Sequence, residues 1–100
     1  MPIPKDHKFT ICGVQTLWRY TRLTGNADGW AYVGGDKPKV LIDNRLKKRS
    51  LLEVECHEFI HVANPTLDES HVTKQSHDLA VVLWSLGYRR THEEEHGHRV

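Results

Sequence analysis

Three observations predict an α+β fold, a small sheet followed by two helices. The first half of the 100-residue chain alternates β-branched and aromatic residues with Gly- and Asp-rich turn clusters. The second half switches to helical periodicity. A single break, Asn64-Pro65, divides that second half in two, because the residue before a proline avoids helical geometry.

The elements follow in order. Lys8–Val14, Leu17–Leu23 and Trp30–Val33 read as extended segments, with Thr24–Gly29 as the turn cluster between the last two. Leu17, Tyr20 and Leu23 also fit a helical face, so Val14–Leu23 carries a helical alternative. Gly34–Pro38 is a second turn cluster, and Val40–Asp43 after it is a clear strand. The expectation is an antiparallel or mixed sheet of three to four strands.

A first helix is expected over about 51–63. Ser50 and Glu53 have the spacing of a capping box, and Leu52, Cys56, Phe59, Ile60 and Ala63 form an apolar stripe. A longer helix is expected over about 67–86. Thr66 and Glu69 form a second box, Val72, Leu79, Leu83 and Leu86 form the stripe, and Gly87 is a stop. With no internal repeat or long linker, residues 1–90 read as one domain, and 91–100 as a His/Glu-rich disordered tail.

Composition excludes several classes. A net charge of +1 gives no whole-chain argument for nucleic acid or a membrane surface. Arg45–Arg49 is a local basic run that reads as a solvated loop. No apolar run reaches membrane-spanning length, and residues 1–6 lack a signal-peptide core, so a cytoplasmic chain is expected. Two cysteines define no disulfide framework; Cys56 falls on the buried stripe, where it suits a small inert hydrophobe.

The chemistry concentrates at His57-Glu58-Phe59-Ile60-His61. Two imidazoles four residues apart lie about 40° apart around a helix and about 6 Å along it, so they can converge on one ion. A carboxylate beside the first is placed to act as a base. With eight histidines in the chain, a shuffled sequence would carry this H-E-x-x-H string roughly 4 times in 100, so the letters alone decide little. Context decides. His92-Glu93-Glu94-Glu95-His96 has the same letters but no apolar face, and Gly97 sits where a helix would continue; with His98 it offers at most an adventitious metal site.

A catalytic zinc (Zn2+) site needs a third protein ligand and an open position for water. The short connection between the helices brings His61 near Asp68 and Glu69. Glu69, an anionic oxygen donor close to the stripe facing the first helix, is the first choice. Asp68 lies closer still by wheel arithmetic, and His71 and His77 point further away; all three remain alternatives.

Lys39–Arg89 resembles the small zincin-like metallopeptidases of phages and mobile elements, and more loosely the minimal gluzincins. The resemblance rests on the strand Val40–Asp43, the H-E-x-x-H helix, the turn Asn64-Pro65-Thr66-Leu67-Asp68-Glu69 and the long helix ending at Gly87-Tyr88-Arg89. It implies an edge strand (Val40–Asp43) that pairs with substrate, zinc held by His57, His61 and Glu69, and Glu58 as general base. The chain departs from larger gluzincins at Thr73, where an aspartate is usual, and Asn64 and Leu67 exclude a metzincin.

The expected function is therefore hydrolysis of peptide bonds in a peptide or protein substrate. Tyr20, Tyr32, His71 and Tyr88 are candidates to stabilise the oxyanion. A second reading is an inactive zincin-like module that binds protein and keeps a structural zinc. A third treats the basic run and exposed aromatics as a nucleic-acid surface.

Overall fold

The computed structural model describes residues 6–90. The expectations for the 91–100 tail and for the second H-E-x-x-H string fall outside the described residues. Strands β1 (Asp6–Ile11) and β2 (Val14–Thr21) form a hairpin whose two-residue loop is Cys12-Gly13. Both loop residues have positive φ, 49° and 82°, the left-handed geometry that such a loop needs to match the strand twist. The single extended run expected over Lys8–Val14 is thus broken by this turn. No turn dipeptide of the usual Asn-Gly kind marked it. The helical alternative for Val14–Leu23 gives way to β2.

Strands β3 (Gly29–Tyr32) and β4 (Lys39–Asp43) complete a mixed sheet in the order β1-β2-β4-β3. Strand β4 runs parallel to β2 and antiparallel to β3. It is an interior strand, which corrects the expectation that Val40–Asp43 forms the edge. The physical reason is visible in its burial: Val40 and Ile42 are fully buried and Asp43 nearly so, whereas Trp30 and Tyr32 on β3 stand half exposed. The sheet edges are β1 and β3.

Helix α1 (Lys48–Ala63) packs on the sheet, and helix α2 (Glu69–Ser85) packs on α1 alone among the described elements. Being enclosed from two sides, α1 buries more than one narrow stripe: Leu51, Cys56, Glu58, Ile60 and Val62. Leu51 and Val62 join Ile11, Trp18, Tyr20, Val40 and Ile42 in the main core. Phe59, expected to be buried, is exposed. On α2 the buried line is Val72, Ser76 and Ala80, at strict four-residue spacing. Leu79 and Leu86 stand in solvent, since no strand covers α2. Small residues at 76 and 80 let the two helices approach closely.

Neither expected capping box forms. The N-cap of α1 is Lys47 with no side-chain cap, and Ser50 lies inside the helix. Asp68 caps α2, its carboxylate accepting the His71 backbone N–H at 2.9 Å. Aspartate is a stronger cap than threonine, and it displaces the Thr66 box by starting the helix later. The far end of α2 closes as foreseen at Gly87 (φ 94°): Gly87 N–H donates to Trp84 O and Tyr88 N–H to Leu83 O, the Schellman pattern. No described helix is long and apolar enough to cross a membrane.

Two polar clusters anchor the fold. Tyr20 donates to Glu55 at 2.6 Å and accepts from Trp18 Nε1 and Arg90, so Arg90 ties the chain beyond α2 to the back of α1. Arg90 also pairs with Glu55. Burial, with the Glu55 charge beside it, pushes the Tyr20 phenol up to about 12.

At the end of β4 the buried Asp43 carboxylate accepts two hydrogen bonds from the Arg45 guanidinium and one from its backbone N–H. Arg45 is thus ion-paired, while it and the other charged residues of the basic run, Lys47, Lys48 and Arg49, stay exposed as expected. The pair holds Asp43 well below the usual carboxylate range. A depressed folded-state pKa stabilises above the unfolded value and is lost as pH falls from there toward the folded one. Asp43→Asn should thus lose more stability at pH 7 than at pH 3 relative to the wild type, read by urea unfolding. Equal losses would contradict this.

Candidate metal centre and its carboxylate

The site is built where the end of α1 meets the start of α2. His57 and His61 stand one turn apart on α1, with ring centroids 4.9 Å apart and planes at 68°. Asn64, whose N–H donates to Ile60 O at 2.8 Å, ends α1, and residues 64–68 reverse the chain. Because Asp68 takes the cap, Glu69 opens α2 with its carboxylate released toward α1. That position also favours an anion, since a helix N-terminus carries partial positive charge.

Glu69 reaches both imidazoles. Its Oε2 lies 3.0 Å from His57 Nε2 and its Oε1 2.8 Å from His61 Nε2. One donor atom from each of His57, His61 and Glu69 falls within a 4.8 Å cluster, so the three residues could hold a metal ion. The donor set, two imidazole nitrogens and one carboxylate oxygen, is the type found in zinc sites that keep an open position. It also suits other borderline divalent ions.

A partner on α2 fixes the His57 ring. Ser76 Oγ lies 3.3 Å from His57 Nδ1 and donates its one proton to Thr73 O at 3.1 Å. With the hydroxyl proton so used, Ser76 Oγ is free to accept from His57 Nδ1–H, the tautomer that would offer the Nε2 lone pair to a metal ion. Thr73 offers no orienting carboxylate, as the sequence already showed, and the group that stands beside His57 Nδ1 is the Ser76 hydroxyl. Sequence reading missed Ser76; its signal was a small polar residue four after Val72 on the buried line. Ser76→Val should lower zinc affinity about 10- to 100-fold, measured by competition with a chromogenic chelator, while the fold is retained. Unchanged affinity would remove Ser76 from this role.

Glu58 is 5% exposed, yet its carboxylate makes no hydrogen bond to any described residue. Burial, and then the Glu69 charge, raises it to about 7. It lines an open cleft with His57, Val54, Glu53, Asp28 and Gly29. Gly29, the first residue of edge strand β3, makes this possible: a Cβ there would stand 2.8 Å from Glu58 Oε2 and 2.9 Å from Val54 Cγ1. Nothing in the sequence flagged Gly29 beyond its place in a turn cluster.

The other candidates are placed elsewhere. Asp68 is engaged as cap and as partner of His71 Nδ1 at 2.8 Å, and His77 Nδ1 lies 3.3 Å from Glu53. Neither they nor His71 join His57 and His61. Cys56 is buried, and burial raises its thiol to about 11; it takes no part in the cluster. Among the oxyanion candidates, the Tyr20 hydroxyl is engaged by Glu55, about 200° around α1 from His57. Tyr32 is on the exposed sheet edge beneath Lys39 Nζ, 5.0 Å from its ring centroid. Tyr88 lies beyond the opposite end of α2. Only His71 stands at the same end of α2 as Glu69.

Compared with known proteins, the chain matches no family model, no curated protein and no solved structure.

Proposed function

We propose that the protein is a zinc-dependent peptidase of the H-E-x-x-H type, acting on extended peptide or protein segments. The observation that carries this reading is the pairing of two features. One is the three-residue donor cluster of His57, His61 and Glu69. The other is a buried carboxylate, Glu58, beside it with no protein partner. A metal that only staples a fold has no use for such a carboxylate, whose desolvation disfavours folding.

A zinc ion bound there would acidify a water and polarise the scissile carbonyl. The chain's own groups supply the rest. His57 and His61 present their Nε2 atoms, the first held by Ser76. Glu58 accepts the proton of the attacking water and returns it to the departing amine. Edge strand β3, whose first residue touches Glu58, replaces β4 as the strand that pairs with an extended substrate. The binding-module reading differs in having no use for Glu58. The test is cleavage of an unfolded protein by the zinc-loaded full chain and by its Glu58→Gln variant. Cleavage by the wild type alone is expected; equal cleavage, or none with zinc bound, would overturn the reading.

A further inference from the structure

The cleft beside the proposed centre holds two carboxylates that the reaction does not use. Asp28 and Glu53 line it together with Glu58, and no lysine or arginine is among the lining residues. Asp28 immediately precedes β3, its backbone carbonyl fixed by the Asp43 N–H at 2.9 Å. Glu53 is partly buried on α1, with His77 on one of its oxygens. Arg45 feels the Asp28 charge but is committed to Asp43. Glu58, 5% exposed and without a hydrogen-bond partner among the described residues, lines the same space.

Geometry says what would enter. The missing Cβ of Gly29 points at Val54 and Glu58, so this position of β3 faces α1 and the cleft. Side chains of an extended chain laid on β3 alternate between the two faces of the sheet. One substrate side chain beside Gly29 is therefore directed to the cleft, and its neighbours fall beside Trp30 on the opposite face. The lack of a side chain at Gly29 lets Glu58 and Val54 close over the strand there, so the incoming side chain would meet the carboxylates of the cleft.

Resting on the peptidase reading for the strand-like pose, we propose that the space between Asp28 and Glu53 is a subsite for a cationic group of the substrate. Its substrate class is thus basic peptides that present a lysine or arginine side chain beside Gly29. A free N-terminal amine has the same chemistry and would be recognised by the same carboxylates. Charge-assisted hydrogen bonds to a carboxylate are about twice as strong as neutral ones, which gives the subsite discrimination as well as attraction.

The test uses the zinc-loaded full chain carrying Glu58→Gln, so that binding is read without hydrolysis. Three acetylated, amidated peptide pools differ only in one residue, which is Lys, norleucine or Glu. Fluorescence anisotropy should show the Lys pool binding about tenfold tighter than norleucine, with Glu weakest. Adding Asp28→Asn and Glu53→Gln together should bring the Lys-to-norleucine ratio to about one. A norleucine pool with a free N-terminus that binds like acetylated Lys assigns the subsite to the terminal amine and supports it. Equal affinities across the pools, or no binding by any of them, would overturn the proposal.

With wild-type protein the two readings separate. Hydrolysis without charge preference sinks the subsite and leaves the peptidase. A Lys preference in binding without any hydrolysis sinks the peptidase and leaves the subsite.

Discussion

Glu58→Gln should lower kcat/KM for peptide hydrolysis by about 10^2- to 10^4-fold, the range a positioned general base supplies. The zinc content should not change, because Glu58 lies outside the His57, His61 and Glu69 cluster. Glutamine keeps the shape of the side chain and removes only its ability to take a proton. Since the Glu58 carboxylate is buried without a hydrogen-bond partner, its neutral isostere should also fold at least as stably as the wild type. Lost activity, retained zinc and equal or greater stability would together mark a residue kept for chemistry. A variant that loses stability instead would point to a structural role for the carboxylate.

Gly29→Ala should impair activity from the other side of the cleft. The added methyl meets Glu58 Oε2 at 2.8 Å and Val54 Cγ1 at 2.9 Å, closer than real side chains tolerate. The carboxylate end is the more easily moved of the two, so Glu58 shifts away from its place beside His57. Overpacking of this kind costs about 1–3 kcal/mol of stability. A base displaced by about 1 Å costs about 100-fold in rate. Gly35→Ala is the matched control, because a Cβ there meets nothing within 4 Å. Equal activity of the two variants would show that the approach of β3 to Glu58 has no bearing on catalysis.

Much of this arrangement was legible in the sequence, and the reasons are local. His57 and His61 are related by one helical turn, and Asn64-Pro65 dictates where that helix ends. A short connection then forces the start of α2 back toward His61, which is why Glu69 could be chosen. Relations between distant segments were less legible. The place of β4 inside the sheet depends on strand pairing, which periodicity does not encode. The capping boxes failed because spacing alone cannot rank Thr66 against Asp68. Ser76 and Gly29 matter only through what packs against them, namely the ring of His57 and the carboxylate of Glu58.

The zinc content of purified protein, by mass spectrometry under native conditions, tests the metal centre most directly. The full chain should carry His92→Ala, His96→Ala and His98→Ala, so that the tail adds no ligand. One zinc per chain is predicted, with loss of that zinc in both His61→Ala and Glu69→Ala and its retention in Glu58→Gln. Full retention in His61→Ala or Glu69→Ala would contradict the proposed centre.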